Sequence, residues 1–189
     1  MQVKHLLLGQ TLSFDQDPFS APIDEAARVN SDGGVLVENG KVTALGNGAD
    51  LRAAHADAAI TDYGQKLIMA GFVDAHVHYP QTAMIASWGK RLIDWLNSYT
   101  FPEEMRFEDA GYAAEIAARY LDLTADCGTT TMCSYGTIHP ASVDAFFTEA
   151  KRRGQRVIAG KTCMDRNAPE GLRDTPKSAY DDSKALLET

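Results

Sequence analysis

Met69-Ala70-Gly71-Phe72-Val73-Asp74-Ala75-His76-Val77-His78-Tyr79-Pro80-Gln81 is the stretch on which the fold and the chemistry of this chain turn. It begins inside a continuous apolar run, Leu67 to Val73, that contains glycine, as in a strand buried on both faces. Side chains two apart on a strand point to the same face, about 6.6–6.8 Å apart along it. His76 and His78 therefore share a face at the C-terminal end of that strand. Two imidazoles so placed can converge on one ion, although histidines so spaced also occur as core or surface residues. Their position after a buried strand, preceded by Gly71 and Asp74, favours the metal. Asp74 can accept a hydrogen bond from a backbone group or a ligating imidazole, or serve as a turn or cap acceptor.

Downstream of this strand the chain alternates helix and strand. Residues 108–126 repeat small and apolar side chains at helical spacing (Ala113, Ala114, Ile116, Ala117, Tyr120, Leu121) and stop at Gly128. Thr129 to Tyr135 is rich in β-branched residues and reads as a second strand. Pro140 to Arg153 reads as a helix with proline in its first turn and Gly154 at its end, where Lys151-Arg152-Arg153 complement the dipole. Arg156 to Cys163 reads as a third strand, and a further helix starts near Ser178. Strands joined by crossover helices imply a parallel sheet. A full (β/α)₈ barrel of the TIM type takes about 250 residues, so residues 67–189 correspond to its first three βα units. No glycine-rich phosphate loop supports the alternative, a doubly wound nucleotide fold.

Upstream, residues 1–66 read as short strands and turns, an incomplete segment of a small β-sandwich. Val3 to Leu8 is apolar enough for a strand. Residues 15–33, with Pro18, Pro22 and Gly33-Gly34, read as a surface loop. Asn39-Gly40 between Val35–Glu38 and Lys41–Leu45 is a strong hairpin signal, because a type I′ turn needs positive φ at both central residues.

The 189 residues are 44% hydrophobic and 23% charged with a net charge of −8, a composition that buries a core and disfavours nucleic acid. Leu6-Leu7-Leu8 is too short for a signal or membrane segment. Three cysteines, Cys127, Cys133 and Cys163, form no CxxC, which argues against a disulfide framework and for a reducing, cytoplasmic setting. Cys133 and Cys163 read as small buried hydrophobes. His5 and His55 fall in turn or surface contexts, and His139 reads as capping or packing at a helix start.

"AGFVDAHVHYPQ" (70–81) resembles the first barrel strand of the amidohydrolase superfamily. Three more stretches are similar to its guanine deaminase family: "LIDWLNSYTFPEE" (92–104), "CGTTTMCSYGTIHP" (127–140) and "GKTCMDRNAPE" (160–170). The resemblance covers essentially residues 35–189. It implies hydrolytic deamination of a purine, with zinc activating water and a carboxylate moving the proton. It makes His76 and His78 zinc ligands, with iron as the alternative ion, and it places His78, Tyr79, Pro80 and Gln81 against the substrate. Gln81 suits a purine edge because its amide both donates and accepts. Trp88, Trp95 and Phe101 are candidates to wall the pocket or to pack in the core. Asp165 and Asn167 follow the third strand without an assigned role.

The general base and the other ligands of such enzymes include a His-x-x-Glu motif that this sequence lacks, so they are expected beyond Thr189, and the chain alone is expected to be inactive. The resemblance also implies a homodimer for the full-length protein. Relatives acting on other purine or triazine rings, and a scaffold that has lost its metal, are the competing readings. The His-x-Glu…Pro-Cys-x-x-Cys pattern of the other zinc deaminases is absent.

Overall fold

The chain divides between Ala70 and Gly71 into two compact units in the computed structural model, which describes residues 4–188. Val3 and Thr189 lie outside the described residues. In the first unit, β1 (Lys4–Phe14), β2 (Ala27–Glu38), β3 (Lys41–Asn47) and β4 (Ala59–Met69) form one sheet in the order β3-β2-β1-β4. Two short helices, α1 (Ile23–Ala26) and α2 (Gly48–Ala54), accompany it. Strand β1 runs antiparallel to β2 and parallel to β4. Its Leu6 is buried, as are Val35 and Leu36 of β2.

The Asn39-Gly40 hairpin forms where expected. Glu38 pairs with Lys41, and the two turn residues have φ of 53° and 76°. A side chain at position 40 would meet open space, so the need for glycine there is conformational. We expect Gly40→Val to lower stability by about 1–2 kcal/mol, the cost of placing an L residue in the left-handed region. A urea midpoint unchanged by that substitution would refute this account.

Residues 27–33 belong to β2, whereas the sequence reads them as part of a loop. Their polar run carries no alternating pattern, and pairing with β1 from Ala27↔Phe14 onward makes the strand. Tertiary pairing overrides propensity here. The apolar run Leu67–Val73 is likewise two strands. Leu67, Ile68 and Met69 finish β4 against Gln10, Thr11 and Leu12 of β1, and the two compact units divide at 70/71. A run without periodicity does not reveal where it breaks.

In the second unit β5 (Phe72–His78), β6 (Thr129–Tyr135) and β7 (Arg156–Gly160) form a parallel sheet in that order. Between β5 and β6 lies a nearly unbroken helical passage. It comprises α3 (Leu92–Trp95), a π turn at Leu96–Thr100, α4 (Phe101–Met105) and a 3₁₀ turn, before the long α5 (Ala110–Asp126). The π turn ends just before Phe101-Pro102. Proline lacks an N–H and its ring collides with the carbonyl four residues back, which widens the preceding turn. Asp109 caps α5 by accepting from the N–H groups of Gly111 and Tyr112. Helix α6 (Pro140–Arg153) ends on Gly154 at φ 71°, and α7 (Pro176–Leu187) opens with a capping box between Thr175 and Ser178.

The expected third strand to Cys163 stops at Gly160. Beyond it Thr162 leaves the ladder and grips the loop after β6: its N–H donates to Thr137 O and its hydroxyl to Gly136 O. Cys163 is exposed and Cys133 half-buried, which corrects the expectation that both are buried.

Helices α5 and α6 cover one face of the sheet. Ala113, Ile116, Ala117, Tyr120 and Leu121 of α5 pack with Met132 of β6 and Phe146 and Ala150 of α6 around Tyr79 and Phe107. Met132 and Ser134 are buried under this layer, so Thr131, Cys133 and Tyr135 belong to the opposite face, where Tyr135 and Ile158 are exposed. Gly71 enters the sheet where no side chain fits, since a Cβ there would lie 2.2 Å from Thr130 Oγ1. Thr130 is the extra residue of a register shift between β5 and β6. Among the described residues no helix is long and apolar enough to cross a membrane.

Candidate metal and substrate site

The C-terminal ends of the three parallel strands are level: His78 pairs with Tyr135, and Tyr135 with Gly160. This is the end at which parallel βα folds gather their chemistry. A second register shift falls within β5 between Asp74 and Val77. At this bulge Asp74 Oδ1 accepts from the His76 N–H at 3.1 Å. Of the roles open to Asp74 in the sequence, the structure shows the backbone one.

His76 and His78 come together. Their ring centroids lie 5.4 Å apart with planes tilted by 59°. For an ion in tetrahedral geometry, about 2.1 Å from one nitrogen of each ring, the centroids fall roughly 5 Å apart. The spacing fits a shared cation. Tyr135 lies across both rings, stacked on His78 at 4.7 Å and 18° and tilted against His76 at 5.2 Å. Burial pushes the His78 imidazole below its ordinary pKa, and neighbouring His76 adds to the effect. The neutral ring keeps a lone pair for a metal. Among the described residues no group of three or more His, Cys, Asp or Glu side chains is placed to hold an ion. The two imidazoles by themselves are fewer than such a group requires.

The turn after His78 is anchored from below. The Tyr79 ring is fully buried, stacked on Phe146 at 4.5 Å and edge-on to Phe107 at 5.6 Å. Its hydroxyl donates to Ser142 O, and its N–H donates to Ser134 Oγ at 3.2 Å. Pro80 is also fully buried, and Thr82 closes the turn by donating to Tyr79 O at 2.6 Å. The Tyr79 ring therefore packs into the helix layer and Pro80 is buried, and neither of these two expected substrate contacts lines the cavity beside His78. An apolar ring at the start of a turn reads alike from sequence whether it faces ligand or core.

His78 and Gln81, the residues flanking that anchor, line a cavity of about 270 Å³ together with Val77, Met84, Trp95 and Tyr120. Trp95 donates from Nε1 to Ser87 O at 3.1 Å, which holds its indole on the wall. Trp88 is exposed, and Phe101 packs with Ile138, Ala168 and Leu172 away from the cavity, so one of the three candidate aromatics reaches it. The Tyr120 hydroxyl has no hydrogen-bond partner among the described residues, and burial, with Asp74 nearby, raises its pKa to about 12.

His139 Nε2 is buried and without a hydrogen-bond partner among the described residues at the start of α6, and burial lowers the pKa of its ring. Its side chain forms no cap. Asp165 is exposed and paired with Arg166, while Asn167 takes φ 55° in the same loop.

Two residues at the site were not singled out from the sequence. Tyr135 lay inside a recognised strand, and only its register opposite His78 brings it to the imidazoles. Glu104 is buried on α4, and its Oε1 accepts from Gln81 Nε2 at 3.5 Å. Burial raises the Glu104 pKa while the bond from Gln81 opposes the rise. A glutamate that is 7% exposed is unusual, but burial is not written in a two-residue acidic run such as Glu103-Glu104.

A larger cleft, about 660 Å³, belongs to the first unit and is lined by Asp32, Asn47, Arg52, Asp62 and Gln65 among others. Among the described residues no histidine or cysteine lines it.

Comparison with known proteins places this geometry among relatives. Residues 67–189 match the profile of the amidohydrolase family, and residues 33–58 match an imidazolonepropionase-like composite domain of bacteria. A guanine deaminase of Escherichia coli (strain K12) is 46% identical over 167 residues, 88% of this chain and 38% of that protein. The crystal structure of guanine deaminase from Bradyrhizobium japonicum superposes with a TM-score of 0.91 at 38% identity, covering 98% of this chain and 41% of that one. A guanine deaminase from C. acetobutylicum with bound guanine in the active site superposes at 0.80 with 25% identity, covering 98% and 42%. The chain thus spans about two fifths of the length of the relatives it matches.

Proposed function

Because the chain belongs to the amidohydrolase family, we propose that it forms part of the active site of a guanine deaminase, which hydrolyses guanine to xanthine and ammonia. The observation that carries this reading is the convergence of His76 and His78 at 5.4 Å, at the C-terminal end of a parallel strand and beside a cavity of bicyclic-ring size. The names of the similar proteins supply the purine.

His76 and His78 would hold a divalent cation, zinc in the first instance, with iron also suited to imidazole. Bound there, the ion supplies the Lewis acidity that lets water attack at neutral pH. The remaining work falls to this chain's residues. Burial lowers the His78 pKa, which favours the neutral ring a metal can take. Tyr135 packs against both rings and limits their rotation. Trp95, Val77 and Met84 give the cavity an apolar wall that excludes water from one side of a flat ring. Gln81 offers an amide to a polar ring edge.

Catalytic zinc sites usually take three protein ligands, and two imidazoles are in place here. A third donor and the proton-shuttling carboxylate complete the proposal from outside this set of residues, and this chain alone is inactive in that reading.

Steady-state assays of the full-length protein on guanine, adenine, 8-oxoguanine and a chlorinated triazine test the assignment. We expect guanine to have the highest kcat/KM. Turnover of another ring with guanine untouched would replace the substrate while leaving the family.

A further inference from the structure

The buried carboxyl of Glu104 has no part in the reaction as proposed, yet it reaches the side chain that faces the cavity. Glu104 lies on α4, and its Oε1 accepts from Gln81 Nε2 at 3.5 Å. Gln81 in turn lines the cavity beside His78. A carboxylate accepts hydrogen bonds and has none to give, whereas a primary amide presents donors on one side and an acceptor on the other. An amide beside a carboxylate therefore has one favourable orientation, with nitrogen towards the acid and oxygen away. Reversing it would set two acceptors against each other in a poorly solvated place, where an unmade bond is costly.

We propose that Glu104 is a positioning residue that fixes the Gln81 amide, so that the Gln81 carbonyl oxygen is the group offered to the ligand. An acceptor at that point selects a ring edge carrying an N–H and disfavours an edge carrying a bare ring nitrogen. Guanine offers N–H groups on its ring and its exocyclic amine. This inference rests on the reading of the cavity as a purine site, while the contact between Glu104 and Gln81 stands independently of any ligand. Burial raises the Glu104 pKa and the bond from Gln81 opposes the rise, so the two side chains act on each other.

A double-mutant cycle in the full-length protein tests the proposal, using Glu104→Gln, Gln81→Ala and both together. The first readout is Tm without ligand. If the two side chains are coupled, the pair loses less than the sum of the single losses. The second readout is KM against kcat for guanine. Glu104→Gln keeps the shape of the side chain but admits either amide orientation. It is expected to raise KM about tenfold, the scale of one hydrogen bond to a charged group, with kcat changed less than about twofold. In the Gln81→Ala background the same substitution should leave KM unmoved. Additive losses in Tm together with additive changes in KM overturn the proposal, because Glu104 would then act on the fold and not through Gln81. Should the unmodified protein fail to turn over guanine, the purine reading falls. The Tm cycle then decides by itself whether Glu104 holds Gln81.

Discussion

His78→Ala in the full-length protein is expected to remove the bound cation and to lower kcat/KM for guanine by at least about 10³-fold. Loss of a group that merely orients a metal ligand typically costs 10–100-fold in affinity or activity, and loss of the ligand itself should cost more. Among the described histidines, position 78 alone combines three features. It faces a second imidazole at 5.4 Å, it lines the cavity, and burial lowers the pKa of its ring. His76→Ala is expected to lose the metal equally, since one imidazole cannot stand in for a converging pair. His5, exposed on β1, provides the control: His5→Ala should keep both metal content and rate. Metal per chain by mass spectrometry and steady-state kinetics read the outcome. A His78→Ala protein that keeps one equivalent of cation and a rate within tenfold of the parent would end the metal-site assignment. A protein that unfolds would show itself in circular dichroism, and His78→Asn, which keeps polar bulk, then serves in its place.

Legibility of the fold followed the strength of local chemistry. Thr129–Tyr135 and Pro140–Arg153 appear with the bounds their composition implies, because β-branched residues, an N-terminal proline and a terminal glycine each act through local backbone geometry. The Asn39-Gly40 turn was legible for the same reason. What failed depended on partners distant in sequence. Residues 27–33 become strand only by lying against β1, and the break at Ala70-Gly71 exists because Met69 completes one sheet before Phe72 starts another.

At the site, the shared face of His76 and His78 was readable from strand periodicity, even though the bulge between Asp74 and Val77 alters the local register. The directions of Tyr79 and Pro80 were not, since a turn points each side chain by dihedral angles that sequence leaves open. Phe146, the ring on which Tyr79 stacks, is 67 positions away in the chain. Glu104 and Tyr135 came to light through packing and register alone.

The largest loss of stability is expected from Asp174→Ala. Lys161 follows the last residue of β7, and its side chain is fully buried, with Nζ 2.7 Å from Asp174 Oδ2. Nζ also donates to Thr162 O at 3.1 Å. Asp174 is 8% exposed and is tied in place by its N–H donating to Met164 O at 2.7 Å, with Ser178 Oγ donating to its Oδ1 at 3.4 Å. Removing the carboxylate leaves an ammonium in a dry site with one neutral acceptor. Breaking a buried pair from one side typically costs about 3–5 kcal/mol, because the remaining charge is uncompensated. The reciprocal change is expected to cost less. In Lys161→Met the carboxylate keeps the Ser178 hydroxyl and the Met164 N–H at 3.4 Å as donors, and the thioether chain refills the lysine's path. Replacing both, Lys161→Met with Asp174→Leu, should recover part of the loss seen in Asp174→Ala, since an apolar pair carries no desolvation cost. Urea unfolding of the full-length protein gives the order: Asp174→Ala least stable, the double replacement between, and the parent most stable. An Asp174→Ala protein within about 1 kcal/mol of the parent would mean that water reaches Lys161 and that the pair behaves as a surface ion pair.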